Sequence, residues 1–380
     1  METSCRIIDT LAELEKAASE FEREKAVAVD LEADSMYHFK EKVCLVQIAT
    51  EELPVMVDPL MIKDLSPLKP LFSNPGIRKV FHGADYDIRS LYRDFNICVN
   101  NLFDTELACR FLGLKESGLQ AVLKMFFNID IDKKYQKKDW SKRPLPKEMT
   151  AYASKDVMHL LPLAEILTRQ LEEIGRLDWV REECDDLAKV RPELTNEGPL
   201  FLKFKGAGRL KSRSLAVLEA LLQFRKRVAE EKDRPLFKII SNDSMAKIAT
   251  VRPVTLRHLK RINTLSDKQM LMYGHDVIQA VAGALEIPDD ELPVCLSKKP
   301  PVLPRGAPKR IKALKTWRAS TARTLKIHPG MLCNNALITA AAVNNPVDEN
   351  ALDAIAGMKQ WQKKVFGKEI VRALKKVSKH

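Results

Sequence analysis

With 380 residues, 45% of them apolar and 30% charged, the chain exceeds one typical core and reads as two or three domains, and no continuous apolar run approaches the roughly twenty residues that a membrane span needs. The formal charge of +12 is unevenly spread: residues 1–200 carry 28 Lys and Arg against 36 Asp and Glu, whereas residues 201–380 carry 35 against 15. A basic half of that kind points to a polyanionic partner, nucleic acid first and an anionic membrane second, with a merely solvated basic surface as the bland alternative.

The opening "METSCRIIDTLAELEKA" has neither an apolar leader nor a small-residue cleavage site. The seven cysteines (Cys5, Cys44, Cys98, Cys109, Cys184, Cys295, Cys333) are scattered and never spaced C-x-x-C, so no disulfide framework or zinc cluster is expected. A soluble chain in a reducing cytoplasm is the expectation. Short β-rich runs follow: "KAVAVDLEA", "KVCLVQIAT" and "LPVMVDP", then a Pro-bounded helix near 61–72, the strand "IRKVFHG" and a helix from Tyr86 to Phe95. This order predicts an α/β domain with a mixed or parallel sheet. From Asp104 the apolar spacing turns helical, in "FDTELACRFLG", "GLQAVLKMFFN" and one long helix from about Lys147 through Leu171. Residues 132–147, "DKKYQKKDWSKRPLPK", interrupt it; two prolines predict an irregular segment that crowds lysines around Tyr135 and Trp140.

Beyond Leu200 the chain is helical and repeats itself. Phe224-Arg225 matches Trp317-Arg318 at an offset of 93, as do Pro253 with Pro346 and Tyr273-Gly274 with Phe366-Gly367. Two copies of one small helical domain are expected, joined by the Pro- and Lys-rich "PVCLSKKPPVLPRGAPKR". The organisation read from these shifts is an α/β domain over 1–195, a hinge over 196–209, a first helical domain over 210–290, a linker over 291–308 and a second helical domain over 309–380. "GAGRLKS" at 206–212 lacks the Gly-Lys-Ser/Thr ending of a phosphate loop and reads as part of the hinge. The aromatics of "QFR" and "TWR" read as core anchors rather than base-stacking residues.

The strand "AVAVDLEAD" ends in carboxylates where core residues are expected. Side chains two apart on a strand share a face at about 6.6 Å, so Asp30 and Glu32 point together, while "ADS" predicts a turn at Asp34. Two like charges so placed raise each other's pKa unless a counter-charge joins them, and oxygen donors without Cys or His favour Mg²⁺ or Mn²⁺. Surface strands carry such pairs too, so other acids must converge. Asp85 and Asp87 open the helix after His82, where either also suits the positive first turn. Tyr152 and Asp156 stand four apart on one helix face, although Asp156 beside Lys155 also reads as an exposed ion pair.

"VDLEAD", "HGADYD" and "YASKD" together resemble the three motifs of the DEDD superfamily of 3′-to-5′ exonucleases, and the tyrosine four before the last Asp marks the DEDDy branch. Residues 1 to about 195 are similar to the catalytic domain of ribonuclease D and its exosome-associated relatives. The helical repeats resemble HRDC domains. The resemblance implies a ribonuclease H-like α/β exonuclease fold followed by two small all-α bundles. It implies metal ligands Asp30, Glu32, Asp87 and Asp156, Asp87 being preferred to Asp85 because the motif sets its Asp five after the histidine. His82 belongs to the motif, as a strand-end packing residue or a substrate contact; Asp34 and Asp139 receive no role.

The implied reaction is metal-dependent trimming of structured RNA 3′ ends, such as transfer-RNA precursors, with release of nucleoside 5′-monophosphates. Two Mg²⁺ or Mn²⁺ ions about 4 Å apart are the expected cofactors, and Tyr152, neutral near pH 7, is expected to orient the attacking water. Tyr135, Lys137, Lys138 and Trp140 are candidate substrate contacts, with Trp140 equally readable as a core residue. The partner is RNA with a free 3′ end, without a membrane, and the chain is expected to be a monomer. A DNA exonuclease of the same superfamily and a non-catalytic nucleic-acid-binding scaffold are the alternatives.

Overall fold

The computed structural model describes residues 6–52, 54–192, 198–295 and 303–378, so positions 196–197 of the expected hinge and 296–302 of the expected linker lie outside the described residues. Six strands, β1 (Arg6–Ile8), β2 (Ala26–Ala33), β3 (Val43–Ala49), β4 (Pro54–Val57), β5 (Arg78–Phe81) and β6 (Leu102–Asp104), form one sheet in the order β1-β4-β3-β2-β5-β6. β2 runs antiparallel to β3 and parallel to β5, β5 is parallel to β6, and β4 is antiparallel to β3 and parallel to β1. The sheet is therefore mixed. Val27, Ala28 and Val29 of β2 are wholly buried, as a central strand covered on both faces requires.

Helices cover the sheet, and the sequence reading departs from them in two places. The helix expected near 61–72 is three short pieces, Pro59–Ile62, a 3₁₀ turn Ser66–Leu68 and Lys69–Ser73. Pro59, Pro67 and Pro70 each sit at a helix start, and Lys63 ends the first piece at φ 63°. The long helix expected from Lys147 to Leu171 is two, Lys147–Met158 and Leu160–Glu173, which meet at His159. Pro162, lacking an N–H, is tolerated because it falls in the first turn of the second.

Two helical copies follow, and equivalent helices recur at the offset read from the sequence. Asn242–Val251 matches Asn335–Asn344, and Asp267–Glu286 starts 93 residues before Gln360–Ser378. In each copy an arginine on the first helix donates to an equivalent carbonyl: Arg225 to Ile240 at 3.0 Å and Arg318 to Cys333 at 2.8 Å. The paired aromatics meet edge to face, Phe224 with Tyr273 at 6.1 Å and Trp317 with Phe366 at 5.8 Å. Gly274 and Gly367 permit close helix approach, since a Cβ there would stand 3.0 Å and 3.1 Å from Leu256 and Leu352.

The described residues divide into two compact units. One holds residues 34–42 and the first helical copy, built around Phe201, Leu218, Leu221 and Val277, with Phe39 against it. Within it Asp233 accepts from the Phe39 N–H at 3.0 Å and lies 2.6 Å from His38 Nδ1.

The other unit joins the sheet domain and the second helical copy in one hydrophobic core. Trp179 and Trp361 stack at 4.7 Å with 15° between their planes, and Phe111 meets both edge-on. Glu182 accepts the N–H groups of Gln360 and Trp361 at 2.7 and 2.9 Å, an anionic cap on the start of helix Gln360–Ser378. Lys359 lies 2.8 Å from both Glu183 and Asp186. Gly113, at φ 86°, lets the backbones close, because a Cβ there would stand 2.3 Å from the Lys326 carbonyl oxygen.

Candidate active site

β2 delivers the first two acids. Asp30 and Glu32 alternate with Val29 and Leu31, so the apolar residues hold one face while both carboxylates take the other. The β2–β3 register shifts between Glu32 and Ala33, an irregularity that ends regular pairing beside these groups. The chain then turns as the sequence predicts: Asp34 is wholly buried, its Oδ1 accepts the Lys42 N–H at 2.8 Å, and its carbonyl accepts from Tyr37 and His38. Asp34 is thus a loop brace.

Helix Lys147–Met158 crosses β2, β3 and β4 and brings the third acid. Oxygen atoms of Asp30, Glu32 and Asp156 all lie within 4.8 Å of one another. Tyr152, one turn before Asp156 on the same helix, interacts electrostatically with its carboxylate. Asp156 is buried rather than paired with Lys155 at the surface. These groups line a cleft of about 360 Å³ with His82, Glu106 and Gln136.

Helix Asp85–Phe95 separates the two candidates of the second motif. Asp85 is exposed and paired with Arg89 at 2.7 Å, one turn on, whereas Asp87 is buried and faces the field of Asp30 and Glu32. Asp87 stands outside the tight set of three. Asp104, at the end of β6, supports this helix: its carboxylate accepts from the Gly83 and Ala84 N–H groups at 3.0 and 2.8 Å while capping helix Thr105–Leu112 through Glu106 and Leu107. The sequence reading missed this brace, although an Asp-Thr pair before a helical run is an N-cap signal.

Electrostatics follow from burial without a cation. Desolvation first, then the charges of Asp87 and Asp156, hold the Asp30 carboxyl well above the usual range. Glu32 is raised by burial and then by Asp30, Asp156 and Asp87. Asp87 is pushed up to about 7 by burial and then Asp104, and Asp156 to about 7 by burial, opposed by the Tyr152 hydroxyl. Burial and the neighbouring carboxylates push the Tyr152 phenol further above its ordinary value, so it stays protonated at neutral pH. His82 is held down chiefly by burial, and its Nδ1 lies 2.9 Å from the Thr105 hydroxyl, which donates to the Phe81 carbonyl. That hydroxyl therefore accepts from a neutral His82.

The basic segment is only partly what the sequence suggested. Lys137 and Lys138 are exposed, and Tyr135 is half-buried with its ring 5.9 Å from that of Tyr152. Trp140 must be corrected: it is 1% exposed and packs among Cys44, Leu45, Met56 and Met149, so its faces are spent on the core and none is open to a base. Arg143 ties the segment to the sheet, reaching Asp58 at 2.5 and 2.7 Å and the Cys44 carbonyl at 2.7 Å. Gln47 was also missed. It pairs with Asp30 across β2 and β3, is wholly buried, and neither atom of its amide has a protein partner.

Comparisons with known proteins give the same architecture. Residues 5–172 match the 3′-5′ exonuclease family model, and residues 214–281 and 307–374 each match the HRDC domain. Over 370 residues the chain is 31% identical to Ribonuclease D of Gluconacetobacter diazotrophicus, covering 96% of this chain and 91% of that one. It is 35% identical over 261 residues to human Exosome complex component 10, covering 66% of this chain but spanning only 30% of that longer relative. The crystal structure of Escherichia coli RNase D shares the fold, with a TM-score of 0.72, 24% identity and coverage of 98% of this chain and 99% of that one.

Proposed function

Because the chain belongs to the ribonuclease D family, we propose that it is a metal-dependent 3′-to-5′ exoribonuclease that trims structured RNAs such as transfer-RNA precursors and releases nucleoside 5′-monophosphates. The observation that carries the reading is the convergence of Asp30, Glu32 and Asp156, from a strand and a helix distant in sequence, beside a protonated tyrosine in an open cleft. The donor set fits a hard divalent cation: carboxylate oxygens only, mutually repelling and largely buried, with the unpartnered Gln47 amide alongside. Asp30, Glu32 and Asp156 would hold it, with Asp87 completing a site for a second. When bound, two such cations supply a water activated for attack and neutralise charge on the phosphate and the departing oxygen.

The chain's own groups do the rest. Tyr152 is a hydrogen-bond donor, because its raised pKa leaves no base at neutral pH. Its hydroxyl, next to Asp156, orients that carboxylate and an incoming oxygen. Asp104 holds the turn at Gly83 and Ala84 and thereby the position of Asp87. Neutral His82 shapes the cleft wall. Lys137 and Lys138, exposed on the segment that precedes the Tyr152 helix, offer positive charge to the incoming backbone.

The test is a time course on RNA labelled at its 5′ end, in Mg²⁺, in Mn²⁺ and in chelator, with the same sequence as DNA in parallel. A one-nucleotide ladder shortening from the 3′ end of RNA, abolished by chelator and by Asp30→Ala, is expected. Equal rates on DNA would replace the ribonuclease reading with a DNA exonuclease, and binding without any digestion would replace it with a scaffold.

A further inference from the structure

The sheet face that carries Asp30 and Glu32 also carries Gln47, and the strand register sets its surroundings. Its neighbours two residues away on β3 are Leu45 and Ala49, and across the strand pairs it faces Met56 of β4 and Asp30 of β2. Residues opposite one another in antiparallel strands point to one face with Cβ atoms about 5 Å apart, so these side chains form one patch. Helix Lys147–Met158 packs over it, and Leu45, Met56, Met149 and Ala153 join in an apolar cluster. Among the same-face neighbours of Gln47 on the sheet, Asp30 alone is polar.

Gln47 is 0% exposed, and neither its amide nitrogen nor its carbonyl oxygen has a partner; among the described residues it is the one buried side chain with two unpartnered polar atoms. Elsewhere the sheet domain satisfies such groups. Buried Lys79 donates to the Asn74 and Ile77 carbonyls at 2.6 and 2.7 Å, and both oxygens of buried Asp58 are held by Arg143. A buried amide without partners is costly, and an apolar side chain of the same shape removes the cost. Methionine would suit surroundings that already contain Met56 and Met149. A carboxylate that turns one oxygen to a cation leaves the other free to accept, and ligating carboxylates are as a rule hydrogen-bonded in turn. Facing Asp30, the amide has only its NH₂ end to offer, because its carbonyl oxygen would meet another oxygen.

We propose that Gln47 is a positioning residue of the cation site, its amide N–H donating to the Asp30 carboxylate and fixing which oxygen that carboxylate presents to the ion. The inference rests on the metal-dependent reading given above. It accounts for an amide kept in a strand interior among apolar neighbours.

The test is Mn²⁺ titration of the full chain without RNA, followed by loss of the free-ion electron paramagnetic resonance signal, with thermal melts in EDTA alongside. Gln47→Met should melt at or above wild type in EDTA, because an unpartnered amide is gone, yet bind Mn²⁺ about 10- to 100-fold more weakly. Gln47→Leu, a second apolar variant, should behave alike. On labelled RNA both should keep KM, lose kcat at low Mn²⁺ and recover most of it at saturating Mn²⁺, a pattern that a merely structural role would not produce. Wild-type Mn²⁺ affinity in variants that melt normally would overturn the inference and assign the amide to a buried water. Melting of both variants well below wild type in EDTA would also overturn it, since the amide would then belong to the packing of the cation-free fold. Mn²⁺ binding with the expected weakening, but no digestion of RNA by wild type, would remove the exonuclease reading and leave Gln47 in its role. Digestion by wild type with Mn²⁺ binding unchanged in the variants would remove this inference alone.

Discussion

Replacing Asp156 by Asn should stabilise the metal-free protein at pH 8 while removing its nuclease activity. Asp156 is buried, lies within reach of Asp30 and Glu32, and is pushed up from the ordinary 3.8 to about 7. At about 1.4 kcal/mol for each tenfold change in proton affinity, ionising it in the fold costs about 4 kcal/mol relative to the unfolded chain. The sign follows from linkage: a carboxyl whose folded pKa is raised destabilises fully above about 7, and the penalty fades as pH falls towards 3.8, where both states hold the proton. Asn keeps the size and removes the charge. Part of the repulsion is already relieved by protons shared among Asp30, Glu32 and Asp156, so a gain of about 2 kcal/mol is expected at pH 8, on the order of 4 °C in melting temperature. Thermal melts in EDTA at pH 8 and pH 5 measure it, and the gain should shrink markedly at the lower pH. A variant melting at or below wild type at pH 8 would refute the picture of uncompensated carboxylates waiting for a cation.

Three further outcomes follow from the same geometry. Mg²⁺ should raise the melting temperature of wild type more at pH 8 than at pH 5, because protons compete for the same oxygens, and a pH-independent rise would place the ion elsewhere. Tyr152→Phe should lower kcat by about 10- to 100-fold with little change in KM and leave the pH profile otherwise intact, as expected of a donor rather than a base; single-turnover rates on labelled RNA across pH 6–9 decide it. Trp361→Ala removes the stack on Trp179 and leaves a cavity in the shared core, so urea unfolding of the unit that contains the sheet should shift by about 3–5 kcal/mol. An unchanged midpoint would mean that the second helical copy contributes nothing to the stability of that unit.

Much of the site was legible because its signals are local. Alternation on a strand places Asp30 and Glu32 together whatever the fold does around them, and spacing by four on a helix does the same for Tyr152 and Asp156. The choice between Asp85 and Asp87 took more than alternation or spacing by four. Residue chemistry leaves both at a helix start, the motif spacing from His82 selects Asp87, and the packing of Ile88 and Leu91 into the core turns that side of the helix inward. Trp140, which the sequence leaves open between a core residue and a substrate contact, was decided in the same way: Arg143, bonded to Asp58, draws the segment back onto β3 and β4 and buries the ring. Gln47 looked like an ordinary polar break in a strand, and its isolation beside Asp30 exists only once β2 and β3 pair.

The sequence by itself determined the α/β start, the two helical repeats with their offset of 93, the acidic motifs and the segregation of basic charge, because each is written in periodicity or composition within a short window. The tertiary structure alone decided the sheet order, the convergence of Asp30, Glu32 and Asp156, and the joining of the second helical copy to the catalytic core through Trp179, Trp361 and Glu182. Apart from the strand pairings, those features are contacts between residues about 120 to 180 positions apart. Which distant surfaces meet is set by the burial of the whole chain's apolar area, a property that no local pattern of residues contains.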